Sequence, residues 1–417
     1  MRILMMIHRL ADNSPYCFYV HEQAKALRAQ GHDVTVISCV GTMPMMKALR
    51  PALDETDRRT PKEAVIDGVP VYFPRCLTLG NAGERWLGGW PMYRAALPIA
   101  KALHAQKPFD LLHAHMLPRE GHAGRLLGRA LGLPVALTVH GTDVFHYFIP
   151  GQTPWKRNVE TARRVDALMA VSSLLLSRVA PYRGEGRISR VVQNGVDLSL
   201  VPENEAPRPR AVISVGTLKA RKCMDKTLEA FARLADEYGD ATLTIVGIGE
   251  MEQALRARIA ELHLEGRVTL TGGLPHEEVL RRMAQSDLFV LPSWGEGYGI
   301  VYIEAMAAGC IAVGAENEGI ADTITDGENG FLVPAGDTDA VERVMRASIR
   351  RASRKWSKRP SARWTIRFAR PASRPSSKRT CTASTTSWSS CSAACAIARA
   401  MARTCFSTAS RSAIWPV

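Results

Sequence analysis

The sequence predicts an α/β protein built from two Rossmann-like, doubly wound domains, and three observations carry that expectation. Short apolar runs such as Ile3–Ile7, Val34–Ser38, Ala211–Val215, Thr242–Val246 and Leu288–Leu291 recur, several followed by a helix-compatible stretch, as buried parallel strands with crossover helices do. At 417 residues and 46% apolar composition, the chain is long enough for two core-bearing domains. A segment carrying Pro202, Pro207 and Pro209 separates two such series and reads as a linker. The expected layout is therefore a first domain over 1–197, a linker over 198–210, a second domain over 211–342, and a basic tail over 343–417.

In the first domain, residues 2–7 read as a strand and 16–29 as a helix stopping at Gly31, with a second strand over Val34–Ser38. The Met1-Arg2 start leads into an apolar run too short for a signal peptide. The loop His8–Pro15 leaves the carboxyl end of the first strand, where open α/β sheets bind ligands. Residues 41–64 read as an irregular loop. Residues 87–106 read as a helix whose start, with Trp86, Leu87, Trp90, Met92 and Tyr93, is unusually apolar; it is either packed on the sheet or, beside Arg85 and Arg94, suited to an acceptor or a membrane surface. Strands are expected over Asp110–His115 and Pro134–His140. His113 and His115 share one strand face, but no third residue has metal-ligand spacing, so no metal site is assigned. His140-Gly-Thr-Asp143 turns on a glycine at a strand end, so His140 either faces a ligand or caps its own turn. Asp166–Ser172 adds another strand and loop, and Asn194-Gly195 marks a turn closing the domain.

The second domain opens with Ala211–Val215, running into Gly216-Thr-Leu-Lys-Ala-Arg-Lys222, where a lysine could neutralise a diphosphate or simply lie on an exposed basic loop. Gly247-Ile-Gly249 follows the next strand but lacks the third glycine of a dinucleotide fingerprint, which argues against NAD. After the strands Arg267–Thr271 and Leu288–Leu291 comes Pro292-Ser-Trp-Gly-Glu-Gly-Tyr-Gly-Ile-Val-Tyr-Ile-Glu-Ala-Met-Ala-Ala-Gly309. Strand, glycine-rich turn and helix in that order aim the free N–H groups of a helix start near Gly299 beyond the strand, a setting that favours phosphate. Glu296 and Glu304 flank it, and carboxylates beside such a site suit the hydroxyls of sugars. Asp337-Thr-Asp339 falls at a helix start and reads as an N-cap, not a metal motif.

The Glu296-x7-Glu304 arrangement, followed by Ala305-Met-Ala-Ala-Gly309, Asp326-Gly327 and Gly330-Phe-Leu-Val-Pro334, resembles the retaining nucleotide-sugar glycosyltransferases of family 4, glycosyl transferases group 1, over about residues 1–340. That resemblance implies a GT-B fold, two Rossmann-like domains facing a central cleft, and transfer from a nucleotide sugar to a hydroxyl of a saccharide or lipid-linked acceptor in polysaccharide or glycolipid synthesis. It implies no cofactor and no metal. Catalytic roles fall to Glu296, His140 and Lys222, and donor binding to Gly216, Thr217, Lys222, Gly247, Gly297, Tyr298, Gly299, Ile300 and Glu304. The chain departs from the family pattern in three places: Thr217 stands where an arginine is usual, Cys223 where a glycine is usual, and Ser14-Pro15 where the first loop usually has a Gly-Gly pair. The same architecture admits a sugar-nucleotide 2-epimerase or a non-catalytic nucleotide-sugar-binding protein.

The net charge of +14 does not point to specific nucleic acid binding. All 40 acidic residues lie at or before Glu342, while 17 of the 54 Lys and Arg lie from Arg343 onward, so residues 1–342 carry 37 minus 40, or −3. The nine cysteines have no paired spacing and suit a reducing cytoplasmic compartment, with peripheral contact at the inner membrane face as a further expectation. The family pattern is expected to stop after Val344 or Met345, and the Ser-, Ala- and Arg-rich composition beyond it is that of a G+C-rich gene read in a shifted frame, or of a basic extension.

Overall fold

Five consecutive apolar residues at the amino terminus form a strand because both faces of the sheet they enter are covered: Ile3, Leu4, Met5, Met6 and Ile7 are each at most 2% exposed. In the computed structural model, which describes residues 1–8, 18–42, 58–78, 80–184, 186–202 and 210–355, that strand lies at the centre of the first of two compact units. The units divide between Asn194 and Gly195, at the expected turn.

In the first unit β1 (Arg2–His8) pairs in parallel with β2 (Asp33–Thr42) on one side and β6 (Leu111–His115) on the other. Beyond β6 follow β7 (Val135–Val139), β8 (Ala167–Ala170) and β9 (Ile188–Val191), all parallel. Beyond β2 lie β4 (Val69–Tyr72) and an antiparallel edge strand, β3 (Glu63–Ile66), while β5 (Arg75–Leu77) pairs with the far end of β2. The irregular segment expected over 41–64 is therefore shorter: Thr42 and Glu63–Ala64 are strand, and 43–57 lie outside the described residues. The helix expected over 87–106 is Trp90–Gln106, and a separate helix, Gly80–Leu87, precedes it; Gly88 turns between them with φ +56, and Pro91 lies in the first turn of the second, where its missing N–H costs nothing. The expected loop at His8–Pro15 falls almost wholly outside the described residues, and so does most of the linker.

The second unit holds six parallel strands, β10 (Ala211–Val215), β11 (Thr242–Val246), β12 (Val268–Leu270), β13 (Leu288–Val290), β14 (Ile311–Ala315) and β15 (Gly330–Val333). Their spatial order, β12-β11-β10-β13-β14-β15, is the doubly wound Rossmann order, with the winding reversing between β10 and β13. Connections from those two strands depart to opposite sides of the sheet and leave a crevice outside their carboxyl ends, which is where this class of sheet binds ligands. The loop after β10 carries Lys222, and the loop after β13 carries Glu296.

Asp337 does cap a helix, its carboxylate accepting the Ala340 N–H at 2.9 Å. That helix, Thr338–Lys355, buries Val341, Met345 and Ile349 on one face, so the apolar periodicity runs on to Ile349 rather than ending at Val344 or Met345. The remaining tail, 356–417, lies outside the described residues.

Candidate functional site

The loop from β13 to the helix Ile300–Ala307 is held by hydrogen bonds on both of its flanks. Tyr302, fully buried and packed edge-on against Phe289, donates its hydroxyl hydrogen to the Leu291 carbonyl and is joined by the Ser293 hydroxyl at 2.9 Å. On the other flank the Glu318 carboxylate accepts the N–H groups of Gly295 and Glu296 at 2.9 and 2.7 Å, and the Gly319 N–H donates to the Glu296 carbonyl at 3.0 Å. One side chain thus fixes the backbone of Glu296 by two charge-assisted bonds.

Lys222 reaches Glu296 from the other side of the crevice. It ends a short turn, Ala220–Lys222, and is buried, with its ammonium bonded to the Glu296 carboxylate. Arg221 lies 3.9 Å from the same carboxylate and also donates to the Gly295 carbonyl at 3.4 Å, while the Trp294 N–H bonds the Arg221 carbonyl at 2.9 Å. Cys223, where the family pattern has glycine, still takes the left-handed turn, with φ +50. A cysteine there pays a modest backbone penalty and keeps the lysine's direction.

The helix start beside this pair is open. Gly299 occupies the cap position with φ +81, no side chain caps the first turn, and no acidic residue sits in it. A Cβ at Gly299 would lie 2.4 Å from the Tyr302 ring, so glycine is required by space as well as by conformation. The N–H groups of Ile300 and Val301 and the positive end of the dipole therefore remain for an anion, while the Tyr302 N–H donates to the Gly299 carbonyl at 3.1 Å.

The other expected donor residues fall into two groups. Gly216 and Gly247 lie at adjacent strand ends, where the Gly216 N–H bonds the Val246 carbonyl at 3.0 Å. A Cβ on Gly247 would come within 1.9 Å of the Gly216 carbonyl oxygen, so Gly247 is explained by packing between the two loops. Thr217 is exposed on the loop after β10, and Gly297 is buried in the loop after β13. Tyr298 is 3% exposed and its hydroxyl accepts from Thr323 at 3.2 Å, so its side chain serves the core and only its backbone borders the helix start. Glu304 lies within the helix, bonded to His276 Nε2 at 2.8 Å. The bracing residues Glu318, Tyr302 and Ser293 carry no sequence signal of a role, since Glu318 is joined to the loop across 22 positions of chain.

In the first unit His140 ends β7 and packs in a row of rings. His113 and His115 lie 4.1 Å apart, His115 and His140 5.3 Å, and Tyr19 and His140 4.6 Å, centroid to centroid. His115 Nδ1 and His140 Nε2 share a hydrogen at 3.1 Å, and His113 Nε2 bonds the Thr138 hydroxyl at 2.8 Å. Burial pushes His113 and His140 down to about 3 and His115 well below the usual histidine range, so all three are neutral near pH 7. Asp143, 0% exposed, accepts the N–H groups of His140 at 3.0 Å, Gly141 at 2.8 Å and Leu117 at 3.1 Å. Asp143 therefore builds the turn, and His140 does not cap it with its own side chain.

Two units of this kind, each a largely or wholly parallel sheet with its polar residues gathered at the carboxyl ends, define the GT-B class. Solved structures agree: sucrose-phosphate synthase from Thermosynechococcus elongatus matches with a TM-score of 0.65 at 18% identity, over 84% of this chain and 90% of that one. Anabaena HepE, in complex with UDP-glucose, matches with 0.62 at 18% identity over 99% of each chain. Residues 18–200 match the model of Glycosyltransferase Family 4, and residues 199–359 match that of Glycosyl transferases group 1. The chain belongs to the group 1 glycosyltransferases. Curated relatives include a glycogen synthase of Mycobacterium tuberculosis, 28% identical over 349 residues (79% of this chain, 81% of that protein). The amylovoran biosynthesis glycosyltransferase AmsK of Erwinia amylovora is 27% identical over 309 residues (70% and 74%).

Two outcomes follow from these contacts. Glu296→Leu should cost about 2 kcal/mol by leaving the buried Lys222 ammonium unpaired, Lys222→Met should cost less because Arg221 stays 3.9 Å from the Glu296 carboxylate, and the double variant should cost less than the sum, as read by urea denaturation. His113 is held unprotonated when folded but titrates near 6.5 when unfolded, so it favours folding above pH 6.5 and loses that advantage as pH falls towards 3. At pH 5 the loss for this residue is about 2 kcal/mol, and calorimetry of the wild type and His113→Phe should show the variant less sensitive to acid.

Proposed function

We propose that this protein is a retaining, metal-independent glycosyltransferase that moves a sugar from a nucleotide-sugar donor to a hydroxyl of a saccharide or lipid-linked acceptor in cell-surface polysaccharide or glycolipid synthesis. The observation that carries the reading is the placement of Lys222 and Glu296 together at the reversal of the second sheet, beside the uncapped helix start at Gly299. Charge grows on the leaving diphosphate as the glycosidic bond breaks. The Lys222 ammonium and the N–H groups following Gly299 are the groups fitted to stabilise it, in place of a metal ion. Glu296 binds sugar hydroxyls and stabilises the oxocarbenium-like carbon. Glu304 accepts from ribose hydroxyls, and His140 hydrogen-bonds the transferred sugar. The departing phosphate takes the proton of the attacking hydroxyl, so no separate base is required.

Glu296→Gln, which keeps a hydrogen bond to Lys222, and Lys222→Ala should each lower kcat by at least about 100-fold in an assay of UDP, GDP or ADP release from the matching sugar nucleotides with a panel of saccharide acceptors. Release should be unaffected by EDTA, and the product should keep the donor's anomeric configuration by NMR. Isomerised donor in the absence of acceptor would instead mark an epimerase, and nucleotide binding without turnover a binding protein.

The acceptor side is supported by the exposed aromatic surface at the break between the helices Gly80–Leu87 and Trp90–Gln106. Trp86 is 78% and Trp90 50% exposed, and Arg85 and Arg94 are exposed beside them. Indole rings with cationic neighbours suit the headgroup region of an anionic bilayer at its inner face, where lipid-linked acceptors would be met. Co-sedimentation with vesicles containing phosphatidylglycerol, and little with phosphatidylcholine alone, is expected for the wild type. Trp86→Ala/Trp90→Ala should reduce it several-fold without changing nucleotide binding; equal binding by that variant would exclude the surface.

A further inference from the structure

The Glu304 side chain has one polar partner among the described residues, and that partner belongs to a different element. His276 opens the helix His276–Ala284, and its Nε2 lies 2.8 Å from Glu304 Oε1. A carboxylate only accepts, so the hydrogen is on Nε2 and the imidazole is the donor. The second oxygen, Oε2, has no partner among the described residues and is not among the side-chain atoms sealed from solvent without one, so it stays open to a donor.

His276 reaches Glu304 from the carboxyl edge of the sheet. The connection from β12 to its helix is stitched to the neighbouring loops, because the Gly272 carbonyl accepts the Gly247 N–H at 2.9 Å and Gly247 in turn lies against Gly216. Pro275, with φ −56, leads directly into the helix and gives the His276 backbone a fixed departure from that edge. Glu304 lies one turn into the helix that starts at Gly299, beside Lys222 and Glu296. The bond therefore joins the loop after β12 to the helix after β13 at the crevice where this sheet receives a ligand.

A glutamate side chain has three rotatable bonds, and a ligand that uses it must bear the loss of their freedom. A donor that already holds one oxygen removes part of that cost before the ligand arrives. A carboxylate offers about four lone-pair sites, so one bond from an imidazole leaves room for both hydroxyls of a ribose. Resting on the functional reading above, in which Glu304 accepts from ribose hydroxyls, we infer that His276 is a positioning residue: it holds one oxygen of Glu304 so that the other meets the ribose, and the preference of the site for a ribonucleotide depends on it. Of the two side chains Glu304 is the more enclosed, 15% exposed against 39% for His276, as suits a carboxylate steadied from its outer side.

The test titrates the full-length protein, His276→Leu and His276→Gln by calorimetry with UDP, GDP and ADP and with the 2′,3′-dideoxy form of each. The wild type should bind at least one ribonucleotide about ten-fold more tightly than its dideoxy form. In His276→Leu that preference should fall to about two-fold through weaker binding of the ribonucleotide alone. His276→Gln, whose amide can donate from a similar reach, should keep most of it. In turnover with the matching sugar nucleotide, His276→Leu should raise KM several-fold and change kcat by no more than about two-fold, since the ribose is remote from the reacting carbon. Parallel loss for both nucleotide forms would mark a bond that only staples the two helices, and tighter ribonucleotide binding a histidine that competes with the ligand; either overturns the inference, as does an undiminished preference. Wild-type protein that binds none of these nucleotides, or binds them without preference, would fail the functional reading itself, and the inference would fall with it.

Discussion

A lysine and a glutamate on loops that leave a parallel sheet on either side of its reversal meet over the opening between them, and much of the second unit is arranged around that contact. Taking Lys222 and Glu296 out of water is costly, and their attraction offsets the cost only if both are held in register. The structure supplies the register twice. Glu318 grips the backbone on either side of the Gly295–Glu296 bond, and Tyr302 ties the start of the same loop to the strand it leaves. Arg221 adds a second cation to the carboxylate and a bond to the Gly295 carbonyl. The charges nearly balance, two cations against Glu296 and Glu318, so the helix start at Gly299 is what remains to attract an anion to a site already rigid.

That arrangement was half legible in the sequence. The strand, glycine-rich turn and helix around Glu296 announced themselves because local backbone geometry demands glycine, and at Gly299 both φ and the Tyr302 ring make that demand. Lys222 was legible through its distance from Gly216 in the resembled pattern. Glu318 was not, because it acts across strands on backbone amides and leaves no periodicity to read. Tyr298 shows the converse: it stands inside the glycine-rich motif, yet the turn rotates its ring into the core, which leaves its backbone beside the helix start. Gly247 shows the same limit, since a glycine after a strand looks alike whether a phosphate or, as here, a neighbouring loop comes close.

Fold legibility followed burial. Strands covered on both faces, such as β1, β7 and β13, are continuous apolar runs and were read to within a residue or two. The strands β3, β4 and β5, at or next to the sheet's margin, are short, alternate in burial and include a proline, and nothing in 63–77 separated them from a loop. The final helix was cut short in the reading because its buried positions, Val341, Met345 and Ile349, are spaced four apart amid arginine and serine, which dilute an apolar signal without weakening the face that packs.

The two units solve the problem of buried polarity in opposite ways. In the second, opposite charges are gathered at the sheet's carboxyl edge and satisfied by each other, as suits a partner that arrives with charge of its own. In the first, the corresponding edge carries three neutral rings whose burial forbids protonation near pH 7, and an aspartate spent on three backbone N–H groups. Burial of His140 against His115 and Tyr19 therefore keeps the ring uncharged near pH 7 while it still hydrogen-bonds His115.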